Sequence, residues 1–496
     1  MNNRHKLAAT LCALIAATTL HAQQAQQTTN EKFFDGANDP ASQQVMRQAE
    51  ADIEQYRKGD FTITIEFADA TQSPPIQNPQ SKIQNPVTLD LIRHQFNFGC
   101  SMFGMARLPD GDPMKKAGIQ TLLDLFNTVA VVDPWSNPYE KLADQHPAED
   151  MAWAKAHHMR TRYVAVLYEE PLEFIGKGLT TEQYWREFDK RTRYCADITG
   201  GKADSYDVIN EVVSRKYWFK DNPKSFYRLE PQYPDLSQPA EIIRAFALAR
   251  KYLPGATLVA LENGLPSTAQ KQYKEIIATW KAALDAGAAI DRIATQCHFF
   301  DDGQSFKPWE RKKQKDFYTM GEISKGLDLQ KVLNKPVEIA EFTGPSRNKQ
   351  KTPEYNKRIW TLTEEENCAW QINFYKLAFS KPYITGLTRW NLVDQYCGRS
   401  MDGGMLTPTG DKHQIHDALK KLIKETWHTR VTHPLDNNTA AATTIAFRGF
   451  YGDYQVTAPG YAPLEITLTP ETKTAKVVLK REPPSPPANR LRTDAE

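Results

Sequence analysis

Ser205-Tyr206-Asp207-Val208-Ile209-Asn210-Glu211 reads as a short buried strand that runs out into a polar pair. Val208 and Ile209 are β-branched, and such residues in a short apolar run suit a strand covered on both faces. Asn210 and Glu211 then fall where the strand ends. A carboxylic acid at a barrel mouth can be held protonated by burial and used as a general acid. A lone Asn-Glu pair is equally an ordinary strand terminus. The reading therefore turns on whether the rest of the chain supplies a second carboxylate and a pocket.

Working outward, short apolar strands are predicted at 96–98, 128–132, 161–167, 206–209, 257–261, 293–296, 337–340 and 386–390. Helical patterns lie between them, such as 240–252 and 268–286, and Leu253-Pro254-Gly255 stops the first of these. Eight strand–helix units predict an α/β fold, a (β/α)8 TIM barrel rather than an open doubly wound sheet. No GxGxxG opens the first unit, which weakens a dinucleotide-binding reading. A barrel gathers its chemistry at the strand C-termini, and polar residues stand there in this chain. Beyond Asn210-Glu211 they are Glu262-Asn263, Gln296-Cys297-His298, Glu338 and Glu341, and Trp390-Asn391 with Asp394 beyond.

The 496 residues leave room for a barrel of about 250 residues and accessories. A net charge of +2 with no basic run gives no footprint for nucleic acid. The 10 Trp and 20 Tyr include rings able to stack on sugar faces, although most such rings are core. The N-terminus reads as a signal peptide over 1–22. It has the basic Arg4-His5-Lys6, an apolar run over 7–20 too short to span a bilayer, and a small residue, Ala22, before the expected cleavage point. Export to the periplasm or cell exterior is the expectation, with no membrane span. Cys100, Cys195, Cys297, Cys368 and Cys397 remain after cleavage. They are widely spaced with no CxxC, a pattern that reads as packed thiols rather than a zinc set and assigns no disulfide.

Residues 23–95 read as an N-terminal extension. Val45, Met46, Ala49, Ile53 and Tyr56 share a helix face, 61–67 alternates as a half-buried strand, and a proline-bearing loop follows in which Ile76-Gln77-Asn78-Pro79 recurs as Ile83-Gln84-Asn85-Pro86. The barrel is expected over 96–427. A small β-sandwich-like module is expected over 428–481, with strands at 443–447, 452–457 and 475–479 that pack with those of 60–95. The proline-rich 482–496 reads as a disordered tail.

Tyr206-Asp207-Val208-Ile209-Asn210-Glu211 resembles the strand-four motif of glycoside hydrolase family 10, the clan A β-1,4-xylanases. Residues 290–298, ending Gln296-Cys297-His298, resemble the family's strand-six motif, and Pro336-Val337-Glu338-Ile339-Ala340-Glu341-Phe342 its strand-seven motif. Residues 387–394 resemble the strand-eight segment with its sugar-platform Trp390. The resemblance implies Glu211 as acid/base and Glu341 as nucleophile, with Asn210, Gln296, His298 and Trp390 binding substrate. It implies a secreted retaining hydrolase of β-1,4-linked plant polysaccharide, xylan foremost, acting on a polysaccharide or oligosaccharide without metal or organic cofactor. Retaining enzymes of this kind set two carboxyl groups about 5–5.5 Å apart. Glu338 is the rival nucleophile, and strict alternation along the strand puts it on the opposite side from Glu341.

Two departures bear on the sugar. The family's Glu-Asn-x-x-Lys-Trp segment after strand two is replaced by Val131-Val132-Asp133-Pro134-Trp135, and Val164 stands where strand three carries a His. Asp133 and Tyr168, with Glu169 beside it, are expected to supply substitute contacts. Two other readings stay open: a retaining glycosidase for a different β-linked glycan, and a glycan-binding barrel that kept its carboxylates without turnover. Endo or exo action and oligomeric state are not legible in the sequence.

Overall fold

The computed structural model describes residues 39–68, 86–132, 147–168, 179–214, 234–268, 270–300, 319–346, 363–394, 403–435 and 442–482. They divide into two units. Helix Pro40–Tyr56 and Asn97–Thr426 form one, and Arg57–Phe96 with the chain from Trp427 form the other. In the second unit, β1 (Lys58–Phe67) and β2 (Pro86–His94) come first in the chain.

The first unit carries β3 (Asn97–Ser101), β4 (Thr128–Val132), β5 (Arg160–Val164), β6 (Leu167–Tyr168), β7 (Ser205–Asn210), β8 (Thr257–Asn263), β9 (Arg292–Phe300), β10 (Val337–Ser346) and β11 (Ile384–Arg389). All pair in parallel, and β11 returns to β3. β5 and β6 both lie on β7, so together they make one stave of the wall. The result is a closed (β/α)8 TIM barrel with helices between its strands. The third strand, expected unbroken over 161–167, is interrupted at Ala165-Val166, where the Val164–Ala165 peptide is cis. β9 and β10 run past the expected ends and stay paired as far as Ser346 and Phe300. The polar residues His298 on β9 and Glu341 and Thr343 on β10 interrupt the apolar runs that mark these strands in the sequence, but the pairing continues through them.

Barrel closure brings side chains of several strands into one interior. Small and branched residues fill part of it, with Val259, Leu261, Ala294 and Ala340 in mutual contact. Charges fill another part. Arg162 on β5 donates to Asp207 on β7 through Nη2 and, at 3.1 Å, through Nε, and it donates to the Ala340 carbonyl at 2.7 Å. Arg292 on β9 donates to Glu338 on β10 at 2.7 Å. Burial pushes the Asp207 carboxyl up against the pull of the Arg162 guanidinium, while Asp207, Glu338 and Glu341 together hold Arg162 charged against its own burial. Outside the barrel, helix Pro40–Tyr56 packs on helices Met320–Asp328 and Glu364–Ser380, with the Ser42 hydroxyl accepting the Gly321 amide at 2.9 Å. Among the described residues, Cys100, Cys195, Cys297 and Cys368 form no disulfide, and Cys397 lies outside the described residues.

In the second unit, β12 (Arg430–Pro434), β13 (Ala442–Phe450), β14 (Gly452–Thr457), β15 (Leu464–Leu468) and β16 (Thr474–Leu479) join the two early strands. β1 lies between β13 and β16, and β2 between β12 and β14, with β15 outside β14. Phe61, Ile63 and Ile65 alternate inward along β1, as the period of two requires. β12 and β15 went unrecognised in the sequence because they bury little and so carry a weak apolar pattern.

Arg162→Met leaves Asp207 without its ion-pair partner in the barrel interior. Urea unfolding should show about 3–5 kcal/mol lost stability, and a loss below about 1 kcal/mol would contradict the buried-pair account.

Candidate active site

β7 ends at Asn210, and Glu211 turns out of the strand with φ 62°, its amide donating to the Leu261 carbonyl of β8 at 3.1 Å. Both side chains are buried, Asn210 at 1% and Glu211 at 3% exposure. On β9, two strands away, Gln296 reaches both neighbours. Its Nε2 donates to Asn210 Oδ1 at 3.2 Å and to Glu341 Oε1 on β10 at 3.3 Å. The amide's two hydrogens therefore tie the residue beside Glu211 to Glu341. Asn210 Nδ2 finds no acceptor among the described residues. A buried donor left this way costs about 1–3 kcal/mol unless a ligand oxygen takes it.

The other oxygen of Glu341 meets His298. Nε2 lies 3.1 Å from Oε2, and His298 Nδ1 lies 2.9 Å from Thr343 Oγ1. The Thr343 hydroxyl donates its single hydrogen to Asn391 Oδ1 at 3.0 Å, so its lone pair receives Nδ1–H. The Nε2 contact is then made by one proton shared between the ring and Glu341, either as imidazolium and carboxylate or as imidazole and acid. Such a pair can present an ionised oxygen to an electrophilic carbon. Trp390 stands beside this group, its ring 6.3 Å from that of His298 and edge-to-face with Phe103 at 4.8 Å. It packs on Ala130, Val164 and Ala165.

The structure thus brings Asn210, Glu211, Gln296, His298, Glu341 and Trp390 to the C-terminal ends of their strands. Asp133 lies outside the described residues, as do Glu169 and the side chain of Tyr168. Val164 is buried in the apolar cluster under Trp390. Glu338 requires a correction. Alternation places it opposite Glu341, but a register shift between Ile339 and Glu341 makes Ala340 an extra residue. Glu338 then pairs with Ala294 and Glu341 with Gln296, two residues apart on β9, so both carboxylates share one face. What separates them is depth and partner. Glu338 is deeper and neutralised by Arg292, whereas Glu341 lies at the mouth on His298. Thr343 and Asn391 were not singled out in the sequence as site residues. The signal lay in the period of two, which puts Thr343 on the face of Glu341.

The model of glycosyl hydrolase family 10 matches residues 148–402, a little over half of the chain. A curated relative, the anti-sigma-I factor RsgI6 of Acetivibrio thermocellus, is 25% identical over 284 residues, a stretch covering 56% of this chain and 30% of that protein. The chain therefore spans less than a third of this relative's length. Among solved structures, xylanase 10B of Thermotoga petrophila in complex with xylobiose aligns at 15% identity and TM-score 0.49, covering 67% of this chain and 95% of its own. A family 10 structure from Paenibacillus barcinonensis aligns at 18% identity and TM-score 0.46, covering 67% and 96%. By the family match, the chain belongs to glycosyl hydrolase family 10.

Proposed function

We propose that this protein is an exported retaining glycoside hydrolase that cleaves β-1,4-linked plant polysaccharide, xylan in endo fashion, by double displacement. The observation that carries the reading is the Gln296 bridge, which links the strand end bearing Glu211 to Glu341. Glu341, paired with His298, attacks the anomeric carbon, and the C–O bond to the leaving sugar breaks as Glu211 delivers its proton to the departing oxygen. The glycosyl-enzyme is then opened by water, which gives a proton back to Glu211. Asn210 Nδ2 supplies a donor for a sugar hydroxyl in the transition state, and Trp390 a flat apolar surface for a ring. None of these steps calls on a metal or an organic cofactor. The basic segment and apolar run of the leader support export.

Two further readings have specific support. Val164 in an apolar cluster favours a glycan other than xylan, because the polar contact expected there is absent. The relative named as an anti-sigma factor, a name that carries no hydrolase activity, favours the glycan-binding barrel without turnover. A reducing-sugar assay on xylan, β-glucans and pectic glycans, paired with a binding assay on the same set, separates the three. Xylan cleavage is expected. Cleavage of another glycan alone moves the substrate, and binding without release from any glycan removes the hydrolase reading.

Proton NMR of the first sugar released should show the β-anomer ahead of mutarotation, and the α-anomer appearing first would exclude retention. Glu211→Gln and Glu341→Gln should each cut turnover at least about a hundredfold, on the scale of lost acid–base catalysis. Near-normal turnover in either variant would sink the assignment.

A further inference from the structure

Glu262, next to last in β8, has a fully buried carboxyl. It binds the chain just beyond Glu211. Oε1 accepts the Val213 amide at 2.5 Å, and Oε2 accepts the Ser214 amide at 3.2 Å and lies 2.5 Å from the Ser214 hydroxyl. The preceding residue, Leu261, accepts the Glu211 amide. Residues 211, 213 and 214 therefore all hang on the end of β8.

The turn needs holding. Glu211 is a non-glycine residue in left-handed backbone, which costs about 1–3 kcal/mol and persists only where the surroundings impose it. The protonation of the clamp also follows from its geometry. The Ser214 hydroxyl has one hydrogen and two acceptors in reach, Glu262 Oε2 at 2.5 Å and the Asn263 carbonyl at 2.8 Å. A proton on Glu262 satisfies both contacts, with Glu262 donating to Ser214 Oγ and Ser214 donating to Asn263. Burial pushes the Glu262 carboxyl up to about 7, against the hydrogen bonds from Ser214 and Val213. Among the described residues its hydrogen-bond partners are these neutral groups, with no counter-ion. The clamp is a carboxyl on neutral partners rather than half of an ion pair.

We propose that Glu262 is a positioning residue that, through the turn over 211–214, holds the Glu211 carboxyl where it delivers its proton to the leaving group. This rests on the reading of Glu211 as the acid. A residue that merely stabilised the barrel would affect every substrate alike. A residue that aims the acid affects only leaving groups that need a proton.

The test compares kcat/KM on two aryl β-glycosides of the sugar the wild type cleaves, one with an unactivated phenol and one with 2,4-dinitrophenol. In Glu262→Ala, kcat/KM should fall about a hundredfold on the unactivated phenol and less than about threefold on the dinitrophenyl glycoside. Glu262→Gln keeps an acceptor for the Val213 amide and a donor for Ser214 Oγ but loses the acceptor for the Ser214 amide, so it should fall less than Glu262→Ala on the unactivated phenol and stay within about threefold of wild type on the dinitrophenyl glycoside. Ser214→Ala, a milder cut, should show the same bias at smaller size. Hydrogen exchange supplies a readout that needs no turnover. The Val213 amide should be protected in wild type and in Glu262→Gln, and both the Val213 and Ser214 amides should open in Glu262→Ala with the other barrel amides unchanged. Equal falls on both glycosides, or protected amides in Glu262→Ala, would overturn the proposal. A wild type that hydrolyses no glycoside would strike the assignment of Glu211 instead, while the exchange data still decide whether Glu262 holds the turn.

Discussion

The side-chain amide of Gln296 is the contact on which the site depends. Its two hydrogens go to Asn210 and Glu341, from strands that do not themselves touch. A primary amide is well suited to the place, because it donates twice in fixed directions and carries no charge to be neutralised. It sets the spacing of the mouth only because barrel closure and register put β7, β9 and β10 at matching heights. The register shift at Ala340 is part of that constraint. Without the extra residue, Glu341 would point out of the barrel, and its place opposite Gln296 would be lost.

Below the mouth lies a floor of buried charge. Arg162 carries a positive charge under Glu341 and grips the carbonyl of the bulged Ala340. A buried guanidinium costs several kcal/mol unless well paired, and here Asp207 pairs it in the same strand that leads to Asn210 and Glu211. The same pair that neutralises the interior therefore ties the backbones of both site strands. Glu338, one step deeper than Glu341, is committed to Arg292. Two carboxylates on one face of one strand thus have different neighbours, a cation for one and a histidine for the other, and that difference fits them to different roles.

Much of this was legible in the sequence because it rests on local pattern. The apolar run through Val208-Ile209 and the polar pair after it marked β7, and repetition of that pattern marked the barrel. The strict alternation of 61–67 likewise marked β1. What escaped was set by long-range pairing. The bulge at Ala340 has no local signature, so alternation misplaced Glu338. The strands β9 and β10 were cut short because polar residues, His298 in one and Glu341 and Thr343 in the other, interrupt their apolar runs. β12 and β15 bury too little to show an apolar rhythm. Glu262 was visible as a polar strand end, but its grip on Val213 and Ser214 exists only once β7 and β8 lie side by side. The thiols, widely spaced in sequence, form no disulfide among the described residues.

Double displacement requires a covalent bond between Glu341 and the sugar. Incubation with a 2-deoxy-2-fluoro aryl β-glycoside slows opening of the glycosyl-enzyme, so intact-mass spectrometry should find one added sugar. Peptide mapping should place that sugar on Glu341. A label on Glu338 or Glu211, or brisk turnover of the parent glycoside with no trapped sugar, would contradict it.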